Sequence, residues 1–164
     1  PNDYWIPVYS ANKLDYRTVQ TIVTVVDEVK IQPYYNCEIF SVNPVKGICK
    51  EWAAQLEGLL RDESFQKNTC TTSQRRLFLH QAVLSGIIAS RIKAGRLKAL
   101  PLTCSYPFNQ HDRLAPGKKV SSLNELTAVI FDYAWNSNPA WLDKIRIDEP
   151  LRSWLFDTYL EYLK

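Results

Sequence analysis

The chain of 164 residues has no methionine and begins at Pro1. It therefore reads as a processed or cut-down piece of a longer chain. Glycine is scarce: Gly47, Gly58, Gly86, Gly95 and Gly117 are all there is, and they are scattered. A phosphate loop needs several glycines within a few residues so that backbone amides can reach the anion. That argues against a P-loop or dinucleotide fingerprint within this segment. No apolar run approaches the roughly 18–20 residues of a membrane span, and there is no signal-peptide start. The expectation is a cytoplasmic chain without a membrane span. No two of Cys37, Cys49, Cys70 and Cys104 make a C-x-x-C pair, which argues against a zinc ribbon or a thioredoxin-like motif. All four are expected as thiols. With two histidines, His80 and His111, far apart in sequence, no metal site is expected. No G-x-S-x-G elbow is present for a serine nucleophile.

What is present is an ordinary globular composition, 46% hydrophobic and 23% charged. The length fits one domain spanning 1–164. Twenty Lys and Arg against seventeen Asp and Glu leave +3. That charge is too small and too mixed to argue for nucleic acid or an anionic membrane.

Periodicity predicts a mostly helical α/β domain with a few short strands. Residues 1–14 read as a loop or short edge strand. A helix is expected over 15–29, where Val19, Ile22, Val23, Val26 and Val29 recur at helical spacing. Its β-branched content keeps a strand open as the alternative. Residues 37–42 read as a strand. Asn43-Pro44 starts a helix, with Asn43 as cap and Pro44 in the first turn. Ile48, Trp52, Leu56, Leu59 and Leu60 form its apolar stripe, ending near Arg61. Residues 62–73 read as a loop. The longest helix is expected over 74–93, capped by Ser73, with Leu77, Val83, Leu84, Ile87, Ile88 and Ile92 on a wide apolar face and Gly95 ending it. Residues 97–102 suggest a strand and 106–119 a loop. Ser122-x-x-Glu125 is a capping box ahead of a helix or buried strand through Tyr133. Asn138-Pro139 starts a short helix, and Asp148 caps a last one to Leu163.

Three segments hold polar groups that could do chemistry. Asn36 and Glu38, entering the expected strand, could bind hydroxyls or form an Asn turn. His80-Gln81 lies on the long helix, where the amide serves a ligand or a neighbouring backbone. Residues 106–113 put Asn109, His111, Asp112 and Arg113 beside an aromatic platform, as ligand-binding loops often do. Cys104 and His111 could also pair as a thiol nucleophile and base. Trp52 and Trp141 sit on apolar stripes and read as core, whereas Trp5 and Trp135 are freer.

The order of motifs resembles the carboxyl-terminal half of GT-A-type nucleotide-diphospho-sugar glycosyltransferases. Residues 35–44 look like that family's Asn-containing strand, followed by a helix holding a Trp, here Trp52. Residues 77–84 look like its Asp-Gln helix, with His80 in place of the acid. Residues 100–109 are similar to its Leu-Pro-x-x-Tyr-Asn segment. The resemblance implies part of a GT-A-like fold, with Asn36, Gln81, Asn109 and His111 facing a sugar or nucleotide-sugar ligand. Asp112 or Glu38 would then be the base for an acceptor hydroxyl. No D-x-D motif is present. In the family that motif holds Mn²⁺ or Mg²⁺ in the other half, so a metal is implied only with that half. The alternative is a non-catalytic helical module that docks a protein partner through aromatic residues, with Trp5, Trp135 and Trp154 as its expected patch.

Overall fold

A tyrosine-rich helix, α1 (Asn2–Ala11), opens the first of two units into which the chain divides. The computed structural model describes residues 2–128 and 144–159. Unit 1 is Pro1–Thr24 with Glu28–Lys98; unit 2 is Val25–Asp27 with Ala99–Lys164. The described residues are mostly helical, with one two-stranded antiparallel sheet.

The loop or strand expected at the start is instead α1. Pro7 inside it disfavours a helix by removing a backbone donor. Tertiary burial overrides that cost. Tyr4 and Val8, one turn apart, and Tyr9 are buried, and the Tyr9 hydroxyl donates to Pro33 O at 2.6 Å. The helix ends in a Schellman turn: Lys13 N–H bonds Ser10 O and Leu14 N–H bonds Tyr9 O. Lys13 takes the left-handed position, φ +58°, that glycine usually fills.

The helix expected over 15–29 is absent, and the strand alternative is nearer. The strands β1 (Ile22–Val23) and β2 (Lys30–Ile31) pair antiparallel. The Asp15 side chain accepts from the Arg17 amide and so closes a local turn instead of starting a helix. The strand expected over 37–42 is also absent. Asn36 Oδ1 accepts from the Glu38 amide, turning the chain where a ladder would have to start.

The Asn43-Pro44 signal holds. Asn43 Oδ1 accepts from Val45 N in a 3-10 turn, Pro44–Lys46. Gly47, at φ +67°, redirects the chain into α2 (Ile48–Arg61). Ile48 is buried, and Trp52, Leu56 and Leu59 pack on the core. Leu60 is exposed. The 62–73 loop contains a helix, α3 (Glu63–Asn68), whose start Asp62 caps by accepting from Phe65 N. The single helix expected over 74–93 is broken. Thr72 caps α4 (Ser73–Leu77), Phe78 adopts a non-helical backbone, and α5 (Leu79–Arg91) follows. Helix α5 is the core of unit 1: Leu79 and Ala82 through Ile88 are buried. It ends two residues before the expected Lys93. Gly95 lies in a 3-10 turn beyond it (Ala94–Arg96).

The described residues of unit 2 form largely 3-10 turns, in a stretch punctuated by Pro101, Pro107 and Pro116. They are Leu102–Cys104, Phe108–Arg113, Pro116–Lys118 and Leu123–Glu125. The strand expected over 97–102 is absent. The Ser122–Glu125 capping box forms as expected, but it caps a 3-10 turn, with Leu126 already extended. A Leu123 N–Arg146 O bond of 2.8 Å ties this turn to residues 145–147. The core is Tyr106, Phe108, Leu114, Leu123, Ile145, Ile147 and Leu155. In the last expected helix, α6 (Leu151–Trp154) passes into a π-helical turn, Leu155–Tyr159, and its continuation to Leu163 lies outside the described residues. The helices expected near Tyr133 and at Asn138-Pro139, and the residues Trp135 and Trp141, lie outside the described residues.

Candidate functional site

The six polar residues singled out by sequence fall into two sets. Asn36, Glu38 and Gln81 belong to unit 1, and Asn109, His111 and Asp112 to unit 2. In unit 1, Ser85 joins the first set. Its hydroxyl accepts from Tyr35 N at 2.8 Å and donates to Gln81 O at 2.7 Å. This fixes the 35–38 segment along α5. Asn36 and Glu38 are exposed and bonded to each other, Nδ2 to Oε2 at 2.8 Å. Gln81 is buried, 8% exposed, within the α5 face that makes the core. Asn36 and Glu38 thus form an Asn turn at the surface, and Gln81 lies on the buried side of α5.

In unit 2 the expected 106–119 loop is an ordered turn. His111 is half-buried. Its ring stacks on Phe108 with centroids 6.1 Å apart, and Nδ1 lies 2.8 Å from the Tyr106 hydroxyl. Val120 N–H points at the same hydroxyl oxygen from 3.4 Å. With its oxygen facing Val120 N–H, the phenol can still donate its proton to Nδ1, the pairing that goes with a neutral His111 carrying its proton on Nε2. Burial pushes the His111 pKa below its ordinary 6.5, and Lys119 and Lys144 push the same way against Asp112. The Asp112 carboxylate is exposed and bonded to Lys144 Nζ at 2.6 Å, which holds it below the usual carboxylate range. A carboxylate so held is a weak base for an acceptor hydroxyl. Cys104 is half-buried, and the Nδ1 of His111 is engaged by Tyr106 rather than by a thiol. Asn109 is exposed.

The sign of the His111 shift gives a testable result. The folded pKa lies below the unfolded one, so the unfolded chain binds the proton more readily below pH 6.5. The contribution of His111 to stability should be constant above about pH 6.5 and be lost as pH drops from there through the folded pKa. His111→Gln should flatten urea midpoints over that window. Equal slopes in the two proteins would refute the assignment. Loss from Asp112 belongs to a lower window, below its ordinary 3.8.

Among the described residues no group of three or more His, Cys, Asp or Glu could hold a metal, and the four cysteines are unpaired thiols. No helix of the described residues is long and apolar enough to cross a membrane.

Set against known proteins, the chain matches no family model, no curated protein and no solved structure.

A surface that sequence reasoning missed lies at the α4–α5 break. Residues 77, 81, 84 and 88 share one face of an unbroken helix, which would place Leu77 in the core beside Leu84 and Ile88. The break at Phe78 turns Leu77 outward instead. Leu77 is 64% exposed and Phe78 42%. With Ser73, Gln74 and Arg76, Leu77 lines a shallow, open depression. His80 Nδ1 lies 2.8 Å from Leu77 O, Trp52 Nε1 donates to His80 O at 2.8 Å, and Phe40 meets Trp52 edge-to-face at 5.9 Å. Ile39 and Phe40 are both exposed. The sequence signal for this patch was the doublet Leu77-Phe78 directly after Arg75-Arg76.

The expected tryptophan patch fares differently. Trp5 is half-buried, edge-to-face with Tyr4 and Tyr34 and packed on the unit 1 core. It is not the freer residue expected. Trp52 packs on the core as expected. Trp154, on α6, is exposed.

Proposed function

We propose that the chain is a non-catalytic helical interaction module that docks a protein partner on unit 1. The observation that carries this reading is the exposed Leu77–Phe78 pair at the α4–α5 break. Large apolar side chains grouped on a surface mark contact sites in folded proteins. Burying a Leu or Phe side chain gains about 1.5–3 kcal/mol, so two such anchors supply the centre of a docking site. The polar residues named from sequence support a catalytic reading less well. Asn36 and Glu38 engage each other, Asp112 is held by Lys144, and His111 is bonded to Tyr106.

The test is affinity capture with the full chain and with Leu77→Ser as baits. Leu77 is exposed, so the substitution should change stability by no more than about 0.5 kcal/mol. A partner retained by the parent and lost by Leu77→Ser supports the reading. Equal capture by both baits sinks it. A thermal-shift screen with nucleotide sugars, with and without Mn²⁺, accompanies the capture. We expect no metal-dependent shift; one would favour the transferase resemblance instead.

A further inference from the structure

The net charge of unit 1 and the cation beside Leu77 indicate the chemistry of what covers the Leu77–Phe78 surface. Between Glu63 and Asp112 the sequence contains no Asp or Glu; of the seven Lys and Arg in that stretch, Arg75 and Arg76 adjoin Leu77, whereas Arg91, Lys93, Arg96 and Lys98 lie at or beyond the far end of α5. Charge is segregated between the units. Unit 1 carries thirteen Lys and Arg against eight Asp and Glu, a net of +5; unit 2 carries seven against nine, a net of −2. The overall +3 conceals this.

The carboxylates of the 36–40 segment and of α2 are already occupied, two of them by cations that they neutralise in turn. Glu38 accepts from Asn36, Glu51 pairs with Arg91, and Glu57 pairs with Arg61 at 2.6 Å. Helices α4 and α5 contribute no acid. Arg75 is engaged by Asp3 at 2.9 Å and lies over the Tyr4 ring, whereas the neighbouring Arg76 is exposed on the wall of the depression beside Leu77.

We propose that this surface takes an acidic amphipathic segment of a partner protein, apolar side chains meeting Leu77 and Phe78 and an Asp or Glu meeting Arg76. The proposal rests on the interaction-module reading. Apolar contact supplies affinity, and the unbalanced positive charge selects the sign of the partner's flanks and speeds encounter. A second copy of unit 1 would meet the surface with like charge. A nucleic acid would use the cations and leave Leu77 idle.

The experiment is fluorescence anisotropy of the full chain with two labelled helical peptides of identical leucine pattern. One carries Glu on its flanks and the other Lys; an unlabelled single-stranded oligonucleotide serves as competitor. We expect the Glu peptide to bind at least tenfold tighter, Arg76→Glu to reverse the preference, and added salt to narrow it. Leu77→Ser should abolish binding of the Glu peptide while leaving the circular dichroism spectrum unchanged. Equal affinity for both peptides, with binding still lost in Leu77→Ser, overturns this proposal and leaves the docking reading standing. Binding of neither peptide overturns this proposal too. If Leu77→Ser leaves peptide binding unchanged, the docking reading itself falls. Displacement of the Glu peptide by the oligonucleotide at equal concentration would assign the surface to nucleic acid.

Discussion

Replacing Gly86 with alanine should weaken unit 1 by about 2 kcal/mol, whereas the same replacement at Gly58 should strengthen it by about 0.5–1 kcal/mol. Both glycines lie inside helices, where alanine is intrinsically the better residue. Their surroundings decide the sign. A Cβ on Gly86 would sit 2.4 Å from Asn12 Nδ2 and 2.8 Å from Asn12 Cγ. Asn12 is buried, and its Nδ2 donates to Val8 O at 3.0 Å, so it can yield only by giving up that bond. A Cβ on Gly58 meets nothing within 4 Å. Urea denaturation of the two variants measures the difference directly. Destabilisation of equal size at both sites would mean that the α1–α5 contact is not what requires glycine at 86.

Phe108→Ala should cost unit 2 about 3–5 kcal/mol, the range for a buried phenylalanine cut to alanine. The ring is 1% exposed and belongs to a core of seven buried residues, so no large reserve of packing can refill the cavity. It is also the platform on which His111 stacks. Hydrogen exchange read by mass spectrometry should show amides of Leu102–Arg113 losing protection while those of α5 keep theirs. Protection lost equally in both would show the two units unfolding as one.

The parts of the fold that the sequence predicted well are those settled by local chemistry. The Asn43-Pro44 start, the Ser122–Glu125 capping box and the α2 stripe through Trp52 and Leu56 depend on residues a few positions apart. The misread parts depend on distant packing. Pro7 speaks against a helix, and α1 forms because Tyr4, Val8 and Tyr9 find a core made by α5. The apolar residues of 19–29 have helical spacing but are not buried as one face: Val26 packs on the unit 2 core, while Val23 and Val29 stay exposed. The break at Phe78 has no Gly or Pro to announce it.

The candidate site divides the same way. The grouping of Asn109, His111 and Asp112 follows from adjacency and was readable. That Lys144 would hold Asp112, thirty-two positions away, was not. Nor could spacing show that Asn36 would face Glu38 rather than a ligand.

The shortage of glycine can also be followed into the unfolded chain. Lys13 and Glu28 occupy left-handed backbone, at φ +58° and +54°, where glycine would sit without strain. An ordinary side chain there strains the folded form by about 1 kcal/mol. It also narrows the conformations open to the denatured chain, which returns about 0.4–1 kcal/mol per position relative to glycine. The two effects nearly cancel. Turns made this way leave the folding equilibrium almost where glycine would put it, while restricting the ensemble from which folding starts.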